Sequence, residues 1–441
     1  MHKSLTIIIL LLAIAATILP ARAAYETGGV AKTILSNGTT VLVRREPEAK
    51  VAAIDIFVRV GAQDENSTNT GIGQLLAGSI LAGSRTYSEM RLARYISEVG
   101  GNLHALWQWN YIEIYAVTLP DSCEDTISLL ADAIKNSSLS PVAVEYSKSA
   151  ILKEIQRQND DPFNSAYTAL RQLVHHGTPY DRPYLGDSDK IKSITSKQLQ
   201  EFYNRNFSGD RIVVSVVGDV DPESVRRKIE TCFKNMPIRK AGTQPQEPVK
   251  ANDSREMTIQ KNASATYIML GYPAPGVDDK DYAAMCVANV LLGGNKSSLL
   301  FTKLREERGL GYQVGSLYPT LRNTSHIAAY LGMDAGRATP DAVKLVQDSM
   351  LDQFKALGEG KFTDDDLERA KRFLKGHHTL LHERTRDRAY QLGWAEAIGL
   401  GYQYDFQYGE KINRVTREDV LRACSRFFTE PSKVILAGNN Q

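Results

Sequence analysis

The sequence predicts an α+β protein of two homologous domains, each a mostly antiparallel sheet with helices packed on one face. Three observations carry that expectation. One order of β-rich and helical runs occurs in the first half and recurs in the second. The stretch 239–262, with Pro245, Pro248 and scattered charge, reads as the linker between the two sets. A chain of 441 residues with 42% apolar content can bury more than one core.

The first unit, 24–238, opens at 33–43 with two β-rich runs around Asn37-Gly38, a hairpin pair because the favoured turn needs positive φ at its centre. A strand follows at 51–60, then helices at 71–82 and 87–99, then a run at 103–119 rich in β-branched and aromatic residues. Trp107, Trp109, Tyr111 and Tyr115 alternate along that run, which predicts one aromatic face on a strand. Helices at 124–135, 142–158 and near 196–203 lead to a strand at 211–217. The second unit, 263–441, repeats the order: a strand at 266–271, helices at 282–292 and 298–308, and strands at 312–318 and 326–332. Helices at 340–357, 364–384 and 417–428 come next, then a last strand at 434–438.

Residues 1–23 read as a secretory signal. Met1-His2-Lys3 is a short positive head, 5–19 is an apolar run of fifteen, and Ala21-Arg22-Ala23 is a small-x-small cleavage site. Fifteen residues fall short of the roughly 20 that a membrane span needs. A periplasmic or secreted mature chain with no stable membrane span is therefore expected. With 53 basic against 51 acidic residues, no global field favours nucleic acid or an anionic membrane. Cys123, Cys232, Cys286 and Cys424 form no C-x-x-C pair, which excludes zinc ribbons and redox motifs. Most of them fall in apolar helical patterns and read as small buried hydrophobes.

Residues 71–84 read Gly-Ile-Gly-Gln-Leu-Leu-Ala-Gly-Ser-Ile-Leu-Ala-Gly-Ser. Ile72, Leu75, Leu76 and Ile80 have the spacing of a buried helical face. In frame, this segment resembles the zinc-binding helix of the inverzincin peptidases, the pitrilysin and mitochondrial processing peptidase family, whose signature is His-x-x-Glu-His. Gln74, Ala77 and Gly78 stand where that family has histidine, glutamate and histidine. Such a pair of imidazoles at i, i+4 shares one helical face, and the carboxylate polarises the metal-bound water. Gln74 is at best a weak ligand, and Ala77 and Gly78 have no donor atom.

The likeness extends to Glu154 followed by Asn159-Asp160-Asp161-Pro162, which is similar to the segment supplying the family's third zinc ligand. It includes Tyr180-Asp-Arg-Pro-Tyr-Leu-Gly186 and Val213-Val-Ser-Val-Val-Gly-Asp-Val-Asp221. Its most specific part is Leu292-Gly-Gly-Asn-Lys-Ser-Ser-Leu-Leu-Phe-Thr-Lys-Leu-Arg-Glu-Glu-Arg-Gly-Leu-Gly-Tyr312. There Arg305 and Tyr312, seven apart, match the Arg and Tyr with which the family hydrogen-bonds the substrate backbone beside the scissile bond. The bland alternative is that Arg305 complements a helix dipole and Tyr312 fills core.

The resemblance implies the non-catalytic subunit of a heterodimeric zinc metallopeptidase, holding no metal or other cofactor of its own. Zinc is expected in a partner subunit of the same family with an intact His-x-x-Glu-His, and the substrate is an extended peptide. The aromatic run corresponds to the family's edge strand. It suits peptide binding through Trp107, Trp109 and Tyr111, or core, or a subunit contact. The competing reading is a non-proteolytic envelope peptide-binding or scaffold protein. His378-Thr-Leu-Leu-His382 has metal spacing but neither zincin order, and reads as a polar helix face. Gly294-Asn295-Lys296-Ser297 is not a P-loop, because Asn295 replaces the required glycine before the lysine.

Overall fold

The computed structural model describes residues 27–99, 101–239 and 255–439. The segment read as a signal, 1–23, lies outside the described residues, as does most of the stretch read as a linker. Among the described residues no helix is long and apolar enough to cross a membrane.

The first half builds six strands: β1 Val30–Ile34, β2 Thr40–Arg45, β3 Ala52–Val58, β4 Asn102–Trp107, β5 Ile112–Thr118 and β6 Ile212–Gly218. They lie in the order β1-β2-β6-β3-β5-β4, and only β2 and β6 run parallel. The second half builds β7 Glu256–Lys261, β8 Ala265–Pro275, β9 Gln313–Leu317, β10 Thr324–Asp334 and β11 Ser432–Gly438. These lie in the order β7-β11-β8-β10-β9, and only β7 and β11 run parallel. Strand for strand, the second sheet repeats β2-β6-β3-β5-β4, so the duplicated order seen in the sequence is a duplicated topology. β7 lies within the stretch read as linker; its alternating Met257 and Ile259 join the sheet edge through the parallel ladder with β11.

In each half, helices cover one sheet face as expected. In the first half the helices Ile72–Ile80, Cys123–Lys135 and Pro141–Asp160 pack Leu75, Leu76, Ile127, Leu130 and Ile151 against Ile54, Ile56, Ile114 and Val214. The opposite face is covered too, by a helix lent from the other half. Helix Thr385–Ala397 lays Ala389 and Leu392 on Phe57, Val213 and Val217. Reciprocally, helix Pro162–Val174 lays Ala166, Ala169 and Leu170 on Tyr267, Met269 and Val434 of the second sheet. This double cover explains why every residue of β3 and of β6 is buried, and why they read as nearly continuous apolar runs.

Ion pairs tie the exchanged helix down. Lys32 meets Glu396 at 2.8 Å and Arg388 meets Glu46 at 2.6 Å. Arg59 donates to the carbonyls of Glu396 and Ala397, both at 3.0 Å, and so satisfies the end of helix Thr385–Ala397.

The run at 103–119 is not one strand. It is a hairpin, β4 and β5 with a turn between them, and the turn breaks the alternation on which an aromatic face depended. Trp107 is buried against Gly73, and Trp109 meets Tyr180 edge-on and Tyr184 at a tilt, with the Arg171 guanidinium over its ring. Tyr111 is buried edge-on to Phe57. All four cysteines are free thiols; Cys123, Cys286 and Cys424 are buried, and burial pushes each up to about 12.

Candidate functional site

Helix Ile72–Ile80 forms because its apolar face packs, not because its caps are strong. Gly71 enters it at φ 96, a left-handed conformation suited to glycine. The buried Glu65 carboxyl accepts from the amides of Gly71 at 3.2 Å and Gly73 at 2.9 Å, satisfying two of the orphan donors of the first turn. Burial raises Glu65 to about 7, against the lowering pull of those two amides. No sequence pattern had singled out Glu65.

On this helix Gln74 is half-buried, Ala77 is 3% exposed and Gly78 is exposed. The helix packs on Pro141–Asp160, where Ser147 Oγ donates to the Gly78 carbonyl at 2.9 Å. Glu154 lies two turns beyond Ser147 on the same helix. Its carboxylate is taken by Arg157, with Nε to Oε2 at 2.8 Å and a guanidinium terminus to Oε1 at 2.5 Å. That hydrogen bonding holds Glu154 below its usual range. The four degenerate positions thus offer one amide, one methyl group, one bare backbone and one carboxylate already paired with a cation.

In the second half Arg305 stands on the π-helical segment Phe301–Glu307. Gly309, at φ 58, turns the chain, and the amides of Gly309 and Leu310 close on the carbonyls of Arg305 and Leu304. Tyr312 then leads into β9, its amide donating to Gly332 O at 3.0 Å. The turn brings the pair together: an Arg305 guanidinium nitrogen donates to the Tyr312 carbonyl at 2.6 Å while the guanidinium lies 5.1 Å from the Phe301 ring. Arg305 is exposed and Tyr312 is 47% exposed, so Tyr312 is not core. Nearby, the Tyr267 phenol donates to Gln313 Oε1 at 2.6 Å. Neighbouring Arg308 is committed elsewhere, to Ser349 Oγ at 2.7 Å.

Comparison with known proteins shows the family of the chain. A sequence profile described as insulinase (peptidase family M16) matches residues 40–188, and one described as the peptidase M16 inactive domain matches residues 193–374. The chain belongs to peptidase family M16, the pitrilysin family. It is 28% identical to an uncharacterized zinc protease of Mycobacterium leprae, over 90% of this chain and 89% of that one. It is equally 28% identical to an uncharacterized zinc protease of Streptomyces coelicolor, over 91% and 88%. Its fold matches that of a protease from Helicobacter pylori with TM-score 0.83 at 19% identity, covering 92% of this chain and 99% of that one. It also matches a peptidase M16 inactive domain from Pseudomonas fluorescens with TM-score 0.82 at 22% identity, covering 93% and 98%.

The zinc that family M16 implies does not fit the residues of this M16 chain. Two of the four positions have no donor, and Glu154 is spent on Arg157. A further cluster joins residues distant in the chain, from two strands of the first sheet and a helix of the other half. Asp55 and Glu113 lie buried beneath Arg386, which pairs with Glu113 and stacks on Tyr115 and Tyr390. Burial first, then the neighbouring Glu113 charge, lifts Asp55 well above its usual range, and burial raises Glu113 to about 7. These groups lie at the junction with helix Thr385–Ala397 and belong to the joint between halves.

Proposed function

We propose that this M16 chain is the non-catalytic, zinc-less subunit of a periplasmic two-chain metallopeptidase of the processing-peptidase type. It lends Arg305 and Tyr312 to the active site of a partner that carries an intact His-x-x-Glu-His helix and the zinc. The observation that carries this reading is an asymmetry. The helix in zinc-site register is folded but has lost its donors, while the Arg305–Tyr312 pair is assembled, adjacent and open to solvent. A guanidinium has five N–H donors and the Tyr312 carbonyl takes one, so the pre-oriented fork keeps donors for a peptide carbonyl. Such donors accelerate cleavage when fixed before charge develops on the substrate oxygen.

One observation favours the second reading, a non-proteolytic peptide-binding or scaffold protein of the envelope. β4 is the outer strand of the first sheet, with Asn102, His104 and Leu106 exposed, and an open edge can accept an extended peptide by strand addition. Isolation of the native protein with its co-purifying chains separates the two. The subunit reading expects a family M16 partner with a complete motif, and peptide cleavage by the pair but by neither chain alone. A native protein that purifies without such a partner and binds peptides uncut would replace it with the scaffold reading.

A further inference from the structure

His378 and His382, read from sequence as a polar helix face, acquire a third neighbour in the fold. His378 is near the end of helix Asp364–Leu380, His382 is in the turn beyond it, and Asp405 is on helix Gln403–Asn413. Potential ligand atoms of the three lie within 4.8 Å of one another. His382 Nε2 is 2.8 and 3.0 Å from the two Asp405 carboxylate oxygens, and His378 Nε2 is 3.3 Å from one of them.

Donor and acceptor counting says what the cluster needs. His382 Nδ1 is 2.7 Å from the His378 carbonyl, which can only accept, so Nδ1 carries a hydrogen. Nε2 of a neutral ring would then turn a lone pair toward a carboxylate. A positive charge has to stand between them, either a second ring proton or a metal ion. The ring hydrogen bond to a carbonyl is the outer support that fixes a metal-binding histidine. His378 is likewise oriented, stacked on Tyr408 with centroids 4.3 Å apart. Donors sharing one tetrahedral ion at about 2.0–2.1 Å lie about 3.3 Å apart; the ring-nitrogen to carboxylate separations here are 2.8, 3.0 and 3.3 Å, and His378 Nε2 would exchange its 3.2 Å contact with the Asp405 backbone carbonyl for the ion.

We infer that His378, His382 and Asp405 form a binding site for a zinc-class divalent ion, distinct from the degenerate family site and independent of the subunit reading. Two imidazoles and a carboxylate suit zinc or cobalt, whereas calcium and magnesium want oxygen ligands in greater number. Three protein ligands leave a fourth position for water or another donor. The histidines are 22% exposed, so an ion can reach them, and Asp405 is 5% exposed. Arg44 opposes a cation here, but it and Arg388 share Glu46, at 3.4 and 2.6 Å, which offsets their charge. Arg388 also donates to the His382 carbonyl at 2.7 Å. The ion would pin helix Gln403–Asn413 to the end of Asp364–Leu380, beside the Arg388–Glu46 joint between halves.

The test uses the untagged chain, stripped with a chelator and dialysed against micromolar zinc, with cobalt as the optical probe. About one zinc per chain, a tetrahedral cobalt spectrum and a zinc-dependent rise in Tm reversed by chelator are expected. His382→Gln and Asp405→Asn should each weaken binding by more than about a hundredfold, since loss of outer-shell partners alone costs up to that much. Glu154→Ala should bind as the parent does. A folded parent chain that takes up no zinc and gives no tetrahedral cobalt spectrum overturns the site. So does binding that survives His382→Gln or disappears in Glu154→Ala. If the variants fail to fold, the parent's cobalt spectrum and Tm response decide alone.

Discussion

Helix Ile72–Ile80, in zinc-site register, and the turn around Gly309, which carries the proposed Arg305–Tyr312 pair, stand in opposite conditions. In the helix, every residue with a packing role is in place: Ile72, Leu75, Leu76 and Ile80 are at most 2% exposed. Its chemistry-bearing positions hold an amide, a methyl group and a hydrogen. At the turn, Arg305 and Tyr312 are exposed and add little to the core, yet they are joined at 2.6 Å. A helix in zinc-site register thus persists on the packing of its apolar face. The Arg305–Tyr312 pair is held by a single turn at Gly309.

If packing sustains the helix, Leu75→Ala should cost about 2–5 kcal/mol in chemical denaturation, the range for emptying a buried leucine site. A cost under about 1 kcal/mol would mean the helix is dispensable to the fold.

The capping carboxyl sharpens the same point through pH. Glu65 is raised from 4.5 to about 7, chiefly by burial. Between those values the unfolded chain has released a proton that the folded chain keeps. Its contribution is therefore full below pH 4.5 and is lost as pH rises through about 7. At roughly 1.4 kcal/mol per unit, the stability of the parent relative to Glu65→Gln should fall by about 3 kcal/mol across that window. A difference that stays flat with pH would show that Glu65 is ionised in the folded protein.

Two glycines of the helix predict opposite signs. A Cβ on Gly73 would run into the Trp107 ring, so Gly73→Ala should destabilise by about 1–3 kcal/mol. A Cβ on Gly78 would meet Ser147 at an ordinary 3.5 Å, so Gly78→Ala should stabilise by up to about 1 kcal/mol. Equal effects in thermal melts would contradict the packing described. At the turn, Arg305→Ala and Tyr312→Phe should each change stability by no more than about 1 kcal/mol.

The sheets were legible because their strands carry β-rich runs bounded by turn residues, as at Asn37-Gly38. The helices exchanged between halves were not. Helix Thr385–Ala397 buries mainly small residues, Ala389, Gly393, Ala395 and Ala397 beside Leu392, which gives a weak apolar stripe. Gly393 is required there because a side chain would strike Phe57. Helix Pro162–Val174 did announce itself, with Asp161 as N-cap accepting from Asn164 at 2.7 Å and proline at the first position. The aromatic alternation misled because a turn at 108–111 lies inside it. Gly309 marks the end of its helix plainly, but the role proposed for Arg305 and Tyr312 rests on the family resemblance. Asp405 could not be joined to His378 and His382 without the fold, because its helix was not foreseen.

If this chain supplies substrate contacts to a zinc-bearing partner, as proposed, turnover by the assembled pair depends on Arg305 and Tyr312. With the parent chain replaced by Arg305→Ala or Tyr312→Phe, the complex should still assemble while kcat/KM for an unstructured peptide falls by about ten- to a thousandfold, the range for removing one preorganised donor. Normal assembly with undiminished cleavage by both variants would contradict the account.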